Sequence, residues 1–408
     1  MPDSRVTSEV EAVSVPHPED LSAHGQGFVD NPYPVYERMR AQGPVHRVRT
    51  AASGEFWLVV GHAEARAALA DPRLSNDIRH SAAWQDDGGN SIGLNMVQTD
   101  PPDHTRLRRL VAKDFTTGRI EALRPRVQRI ADELVDAMLP LGRADLVEAF
   151  ALPLPLAVIC ELLGVPETDR KAFHHWYLES TDFTRPGAAA AAAQAMTGYL
   201  ADLIAAKRQE PGPDLLSALA GTAPDDEDRL SPQEMLGMAF LLLVAGYETA
   251  ANLLSSGTLA LLRHPDQLAA LRADWSLLEN AVEEMLRYEG PVETTAFRYT
   301  KEPLEIGGTR IDRGESVAVV LAAASRDPRR FAAPDGFDIR RDARGHMAFG
   351  YGIHHCLGAP LARMQGAIAF RTLLERCPGL ALDTDPTALA WRPSLMLRGL
   401  HRLPVVLG

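Results

Sequence analysis

The chain contains 408 residues, of which 46% are hydrophobic and 24% are charged, and its 42 basic and 54 acidic side chains give a net charge of -12. An acidic balance argues against a nucleic-acid-binding surface, which is usually basic. Three scattered cysteines argue against a disulfide framework and favour a reducing cytoplasm. The first thirty residues lack the apolar run of a secretory signal, and the longest uncharged apolar stretch, 235–247, is shorter than the roughly 18–20 residues that span a bilayer. We therefore predict a cytoplasmic protein with no membrane segment and no nucleic-acid partner.

The first half of the chain has the apolar spacing of helices. An amphipathic helix begins at 31–34, and two short strands at 45–48 and 56–60 form a predicted hairpin. From residue 63 to about residue 220 the pattern is helical, with breaks at prolines and glycines. The alanine-rich stretch 187–195 is interpreted as the start of a helix that ends near residue 208.

A long central helix follows an acidic loop at 225–228. Ser231-Pro232-Gln233-Glu234 fits a capping box with proline at the first helical position, and the helix can continue to Arg263. Its length of about 50 Å would cross a globular protein of this size, so polar residues in its middle need an explanation.

Short strands are predicted beyond residue 290, at 304–306 and 317–322, and irregular hairpins at 391–407. The prediction is a mainly α fold with a small β part. No linker divides it, so we expect a single domain over residues 1–408, with about 1–30 as a weakly ordered N-terminal extension.

The stretch from Phe349 to Arg363 is the most informative part of the sequence. A glycine-rich loop brings Cys356 to the start of a helix that runs to about Arg376. A sulfur there would face the amides of Leu357 and Gly358, which favours the thiolate. A thiolate in a loop that can lie against a plane suits an axial haem ligand. A structural buried cysteine is the common alternative, and a zinc site would need a second Cys/His pair at the appropriate spacing.

The register of Phe, Gly, Cys and Gly in this stretch resembles that of the cytochrome P450 family, the haem-thiolate monooxygenases. The resemblance covers the chain from about residue 31 to its end and is strongest to the soluble bacterial branch that tailors polyketides and macrolides. It implies a fold in which haem b lies between the long central helix and the cysteine-loop helix. It also implies that Cys356 is the proximal iron ligand, that Phe349 packs near the sulfur, and that Gly352 and Gly358 permit the close loop.

Two further sets of residues match family positions. Glu284 and Arg287, at i and i+3 on one helical face, resemble the pair that braces the cysteine loop together with a downstream arginine, for which Arg329, Arg330 and Arg340 all stay open. The haem propionates need cations or donors if they are buried. The resemblance assigns the propionates to four residues: His104, Arg108, Arg298 and His354. Without the cysteine motif, these residues would be interpreted as an ordinary basic surface.

The polar interruption of the central helix is Ala245-Gly246-Tyr247-Glu248-Thr249. The Thr249 hydroxyl can bond to the carbonyl of Ala245 and open the helix, and Gly246 then leaves room beside the opened turn for a small ligand. By itself this is equally consistent with a tolerated threonine and a surface glutamate. The resemblance makes Glu248 and Thr249 the acid–alcohol pair that delivers protons during oxygen activation. Tyr247 has no explanation from the sequence.

The predicted function is a monooxygenase that uses O2 to hydroxylate or epoxidise a medium-to-large apolar molecule of secondary metabolism, such as a polyketide or macrolide. The alternatives are a haem-thiolate peroxygenase or oxidative-coupling enzyme, and a haem sensor or carrier. The resemblance places six residues around the substrate: Met96, Leu242, Val292, Thr294, Thr295 and Leu395.

The sequence has no flavin or nicotinamide fingerprint, so electrons are expected from a separate ferredoxin and ferredoxin reductase. Four basic residues near the expected thiolate side would attract an acidic ferredoxin: Arg106, Arg109, Lys113 and Arg363.

Overall fold

The computed structural model describes residues 17–85, 94–113, 115–180, 186–221 and 229–408. Its helices are α1 (Gly25–Asp30), α2 (Tyr33–Gln42), α3 (His62–Ala70), α4 (Asp103–Ala112), α5 (Thr117–Met138), α6 (Pro153–Leu163), α7 (Arg170–Ser180), α8 (Pro186–Gln209), α9 (Leu215–Ala220), α10 (Pro232–Arg263), α11 (Pro265–Ala273), α12 (Leu278–Tyr288), α13 (Leu321–Ala324) and α14 (Ala359–Arg376). Its strands are β1 (Glu19–Asp20), β2 (Val45–Thr50), β3 (Gly54–Val59), β4 (Leu74–Ser75), β5 (Arg143–Asp145), β6 (Arg298–Thr300), β7 (Leu304–Ile306), β8 (Thr309–Ile311), β9 (Ser316–Val319), β10 (Ala381–Leu382) and β11 (Pro404–Val406).

The central helix α10 organises the helical part of the fold. Its N-terminus is the predicted capping box, in which Ser231 and Glu234 exchange side-chain and backbone hydrogen bonds, and Pro232 occupies the first turn. It continues for 32 residues and ends at His264, before Pro265. The helices α6, α12 and α14 pack directly against it, and α5 packs against α6 and α14. The residues of these helices form most of the largest buried apolar cluster.

By length and composition alone α10 could cross a membrane, but 61% of its most apolar segment is buried inside the protein. Burial of this kind is typical of a core helix, whose apolar surface is covered by its neighbours.

A six-stranded sheet in the order β1-β2-β3-β9-β6-β4 lies beside the helices. The antiparallel β2–β3 hairpin confirms the predicted one, and β9 runs parallel to β3. The strand β6 pairs with β9 and thereby fixes the position of Arg298. Two smaller sheets, β10-β11-β5 and β7-β8, complete the β part, so the predicted fold class is confirmed.

The structure differs from the predicted elements in a few places. The strand predicted at 317–322 ends at Val319, and an alanine-rich turn, α13, follows because its amides bond to carbonyls four residues earlier instead of to a strand. The sequence patterns did not indicate β4 and β5, which are only two and three residues long. Residues 17–30 form β1, a 3-10 turn and α1. Residues 1–16 and the acidic loop at 225–228 lie outside the described residues, and the single-domain division stays a prediction.

Candidate active site

The cysteine loop is a tight turn that places Cys356 three residues before the start of α14. The Cys356 amide donates to the Phe349 carbonyl over 2.9 Å, which closes the loop. Gly352 has φ +77°, and a Cβ there would lie 2.5 Å from the Leu69 carbonyl oxygen, so a larger residue would not fit. Gly358 has an ordinary backbone conformation, and the atom nearest to its missing Cβ is the Cys356 sulfur at 3.9 Å. A side chain at Gly358 would therefore project beside the sulfur, where a flat partner must approach.

The environment of the Cys356 sulfur differs in two respects from the expectation. The side chain is exposed, but it lies in a recess where burial raises the pKa of the thiol. The amides of Gly358 and Ala359, and not that of Leu357, bond to the sulfur and partly offset this rise, because α14 begins only at Ala359. Burial therefore outweighs these two amides in its effect on the pKa of the thiol.

Phe349 is held under the loop by charged neighbours. The Arg363 guanidinium lies 4.5 Å from the centre of its ring, and Arg363 also forms an ion pair with Glu283 at 2.6 Å. His346 bonds to the same carboxylate at 3.1 Å. Burial raises the pKa of Glu283, but His346 and Arg363 outweigh this effect and hold it at about 2. This cluster stabilises the segment that leads into the cysteine loop.

The pair Glu284–Arg287 is fully buried and braces the chain before the loop. Its atoms are 2.6 Å apart, and Arg287 also donates to the carbonyls of Pro334 and Gly336. The downstream arginine that completes it is Arg341, whose Nε lies 3.3 Å from a Glu284 oxygen.

The three candidates for that third partner, Arg329, Arg330 and Arg340, were therefore wrong. The Arg329 guanidinium pairs with Glu64 and Asp327, and the Arg330 guanidinium donates to the Arg344 carbonyl. For Arg340 the structure records a bond only from its amide, to Asp338.

Four basic side chains from three separate elements meet at one place. His104 of α4 and His354 of the cysteine loop have ring centres 4.3 Å apart, and the charge of Arg298 lies close enough to affect both rings. Arg108, one helical turn after His104, donates to the His355 carbonyl at 2.7 Å. The structure therefore brings together all four residues that the resemblance assigned to the propionates.

The electrostatics of this cluster favour the binding of an anion. Burial, with the charges of Arg298 and His104, lowers the pKa of His354 to about 3, and burial lowers the pKa of Arg298 to about 10. Both ring nitrogens of His104 and the Nε of Arg298 are buried without a hydrogen-bond partner among the residues that the structure describes. Buried donors in natural proteins are normally paired. Carboxylates placed here would satisfy them, so these residues fit the propionates of a haem whose iron faces Cys356.

The middle of α10 has the predicted back-bond. The Thr249 hydroxyl donates to the Ala245 carbonyl at 2.7 Å. Ala245 is exposed although it lies midway along a buried helix, so a space adjoins the helix there. The explanation given for Gly246 was wrong, because its missing Cβ would lie 2.9 Å from the Ile159 side chain of α6. Gly246 permits close packing of two helices and does not enlarge the ligand space.

Glu248 is not a surface residue. Its side chain is almost completely buried, and one oxygen lies 2.8 Å from Nη2 of Arg392, on the loop after β10. The same Nη2 donates to Asn252 Oδ1 at 2.7 Å. Burial raises the pKa of Glu248 and Arg392 offsets part of the rise. Sequence reasoning missed Arg392 because nothing near residue 392 indicates a partner 144 positions earlier.

Tyr247 also has a partner that the sequence did not reveal. Its hydroxyl lies 2.7 Å from Nδ1 of His174 on α7, and its ring packs edge-on against Tyr177. The residue is therefore a contact between α10 and α7.

The six predicted pocket residues fall into two groups. Met96 lies against α10, where its amide contacts the Met238 sulfur at 3.4 Å, and Leu242 belongs to the same buried cluster. Val292, Thr294, Thr295 and Leu395 lie where the sheet meets the C-terminal loop. The Thr294 hydroxyl donates to the Leu395 carbonyl, and the Thr295 hydroxyl accepts from the Val319 amide, so both hydroxyls already have protein partners.

The predicted basic face needs a correction at Arg106. Its guanidinium forms an ion pair with Glu234 and bonds to the Arg229 carbonyl, so its charge is largely neutralised. A recess of about 350 Å³ instead lies outside the cysteine loop. Its charged lining includes Arg66, Arg344, Arg363 and Glu283, of which Arg363 pairs with Glu283, and Arg344 pairs with Asp342.

The sequence and the fold of this chain are similar to those of known proteins. Residues 187–388 match the family model described as Cytochrome P450. The chain is 57% identical over 388 residues to Cytochrome P450 monooxygenase PikC of Streptomyces venezuelae, covering 95% of this chain and 93% of that protein. It is 46% identical to the 6-deoxyerythronolide B hydroxylase of Saccharopolyspora erythraea, covering 91% and 95%. The tirandamycin C-bound structure of the monooxygenase TamI has a TM-score of 0.87 and 45% identity, covering 96% and 100%.

Similarity of this extent shows the family. The chain belongs to the cytochrome P450 family and is a monooxygenase.

Proposed function

We propose that this cytochrome P450 binds haem b and hydroxylates or epoxidises a polyketide or macrolide of secondary metabolism in the cytoplasm, with electrons from a ferredoxin and its reductase. The observation that carries the proposal is the orphaned cation cluster beside an exposed cysteine in a glycine loop. Among the similar proteins, one is named 6-deoxyerythronolide B hydroxylase, one is named for polyketide biosynthesis, and TamI has a structure with tirandamycin C bound, which supports the substrate class.

Each residue of the site has a proposed role. Cys356 is the iron ligand, and His104, Arg108, Arg298 and His354 hold the propionates by charge-assisted hydrogen bonds. When bound, haem supplies the redox chemistry that activates O2. Thr249 and Glu248 hold and move protons beside that space, and the exposed Ala245 leaves it open.

Binding of candidate substrates tests the substrate class. We expect 6-deoxyerythronolide B or tirandamycin C to shift the Soret band of the haem-loaded protein, and myristic acid, a linear fatty acid, to shift it less. Product analysis by mass spectrometry then distinguishes insertion of one oxygen atom from an oxidative coupling without oxygen transfer. A coupled product, or a response to myristic acid alone, would contradict the proposal.

The recess outside the cysteine loop is the proposed docking face for ferredoxin. Arg66 lies 4.1 Å from the centre of the Tyr351 ring and Arg363 lies over Phe349, so the basic rim is anchored to the cysteine loop itself. An acidic partner would be steered to this rim despite the net negative charge of the chain, and the rate would fall as salt screens the attraction.

Charge reversal tests the docking face. Arg66→Glu should slow reduction by ferredoxin at low salt and make its rate less dependent on salt. Arg371→Glu, an exposed residue of α14 that pairs with Glu375, is the matched control and should leave the rate unchanged. Equal slowing by the control variant would exclude a local docking face.

A further inference from the structure

The C-terminal loop connects the acid of α10 to the predicted substrate site. At one end of the loop Arg392 forms an ion pair with Glu248 and donates a hydrogen bond to Asn252, and its own amide donates to the Gly399 carbonyl at 2.9 Å. At the tip of the loop the Leu395 carbonyl accepts from Thr294, and Met396 has 47% of its surface exposed. One short segment therefore contacts both the acid and the pocket wall.

The loop is built around the arginine. Gly399 lies opposite Arg392, and a Cβ at Gly399 would lie 2.6 Å from Cγ of Asn252 and 2.7 Å from Nη2 of Arg392, so a larger residue would displace both side chains. The bridge between Trp391 and Leu400 closes the two arms of the loop. Arg398 stacks on the Trp391 ring at 3.7 Å and anchors the loop to Glu289. The guanidinium position is thus set by the loop and not by chance rotation of a surface side chain.

The acid and the alcohol of α10 have separate partners. Glu248 forms an ion pair with Arg392, and the Thr249 hydroxyl donates to the Ala245 carbonyl. Among the described residues the structure records no hydrogen bond between the two side chains. Proton delivery through both therefore requires the Glu248 carboxyl to leave its arginine.

We propose that Arg392 is a positioning residue that holds the Glu248 carboxyl against the C-terminal loop until substrate contact at the loop tip releases it. The inference rests on the proposed role of Glu248 in proton delivery. It extends that role by naming the residue that controls the acid and the segment that links it to the substrate.

The charge environment makes Arg392 the decisive neighbour. Burial raises the pKa of Glu248, and Arg392 is the one charged side chain among the described residues that lowers it. Burial raises the pKa of the Cys160 thiol and of the Tyr247 phenol. Burial also lowers the pKa of the imidazoles of His174 and His401. In all four groups burial therefore favours the uncharged form. Loss of the Arg392 charge should therefore raise the pKa of Glu248 further.

Infrared titration of the haem-loaded, substrate-free protein measures this directly. The carboxylic C=O band of Glu248 is assigned by its loss in Glu248→Gln. An opposite charge at this distance typically lowers a carboxyl pKa by about 1–3 units, so Arg392→Gln should move the band midpoint upward by at least about one pH unit. Arg392→Lys should retain most of the wild-type midpoint. Arg402→Gln, on the same C-terminal segment with an exposed side chain, is the control and should not move it.

A second variant keeps the test decisive if Arg392→Gln fails to load haem. Gly399→Ala displaces the guanidinium without removing its charge, and it should also raise the midpoint. An unmoved Glu248 band in these variants, with a lowered unfolding temperature, would show that Arg392 only supports the loop and would overturn the proposal.

Turnover with 6-deoxyerythronolide B, ferredoxin and reductase provides the functional arm. Arg392→Gln should raise the hydrogen peroxide formed per NADH and shift the alkaline limb of the pH profile of turnover to higher pH. Neither effect should appear when the same substitution is made in the Glu248→Gln variant. An unchanged profile with a shifted infrared band would refute the positioning role. Since the infrared arm needs no substrate, absence of product from this compound would count against the proposed function and not against Arg392.

Discussion

Replacing Glu284 by glutamine removes the one acidic side chain that, among the described residues, forms an ion pair with the completely buried Arg287. In the native network its two oxygens lie 2.6 Å and 2.8 Å from the Arg287 guanidinium. One of them also accepts from the Asp338 amide at 2.9 Å and from Arg341 at 3.3 Å. An amide can still accept one or two of these bonds, but it leaves the Arg287 cation buried and uncompensated.

The expected cost follows from that uncompensated charge. Breaking one partner of a buried pair typically costs about 3–5 kcal/mol, and the retained amide oxygen places Glu284→Gln near about 3 kcal/mol. Arg341→Gln should cost less, about 1.5 kcal/mol, because a hydrogen bond to a charged group is typically worth about 1.5–3 kcal/mol and Arg341 is 14% exposed. The two substitutions remove the same interaction, because Arg341 bonds to the Glu284 carboxylate. The double variant should therefore cost less than the sum of the two single variants.

Urea denaturation of the haem-loaded protein, followed by tryptophan fluorescence, measures these costs from midpoints at matched slopes. Arg344→Gln is the control, since Arg344 is exposed and its only ion pair within the described residues is with the exposed Asp342, and its midpoint should not change. A loss below about 1 kcal/mol for Glu284→Gln would refute the reasoning, because it would mean that Arg287 is compensated by its carbonyl partners alone. Strict additivity of Glu284→Gln and Arg341→Gln would refute the assignment of Arg341 to this network.

Three further predictions concern the haem and oxygen sites. Cys356→Ser should remove the red-shifted Soret band of the reduced, CO-treated protein, because only a thiolate donates enough charge, and retention of that band would contradict the assigned ligand. Thr249→Ala should preserve the fold but lower the product formed per NADH and raise the yield of peroxide, because positioned proton transfer is typically worth about 10²–10⁴-fold. An unchanged ratio of product to NADH would mean that the Thr249 hydroxyl, which bonds to Ala245, only contributes to packing. Gly246→Ala should lower the unfolding temperature because its Cβ would meet Ile159 at 2.9 Å, and Ile159→Val should recover part of the loss. Without that recovery, the strain does not come from this contact.

Local signals in the sequence determined the helix ends and the motif that identifies the family. The capping box at Ser231 and the His264-Pro265 stop fixed α10, because caps and prolines act within a turn or two of the chain. The glycine loop around Cys356 could be recognised for the same reason, since loop, ligand and helix start lie within ten residues. The four basic residues of the proposed propionate site came from the resemblance, because they are spread over 250 positions and no local pattern joins them.

Contacts between distant segments were decided only by the tertiary structure. Arg341 and not Arg340 reaches Glu284, because the turn after Asp338 determines which of two adjacent arginines faces the buried carboxylate. Composition cannot distinguish those neighbours. Gly246 faces Ile159 instead of the ligand space, because the direction of its missing Cβ depends on how α10 is rotated against α6.

The pairing of Glu248 with Arg392 shows the same limit most clearly. Taken alone, the sequence made Glu248 equally consistent with a surface glutamate, since one acidic residue in a helix has no period that indicates burial. Burial and an arginine 144 residues away in sequence set its protonation, and both depend on the path of the C-terminal loop across the fold. The sequence by itself therefore determined which chemical groups are present, and folding decided which of them meet, because hydrogen bonds and ion pairs act over a few ångströms in space regardless of separation along the chain.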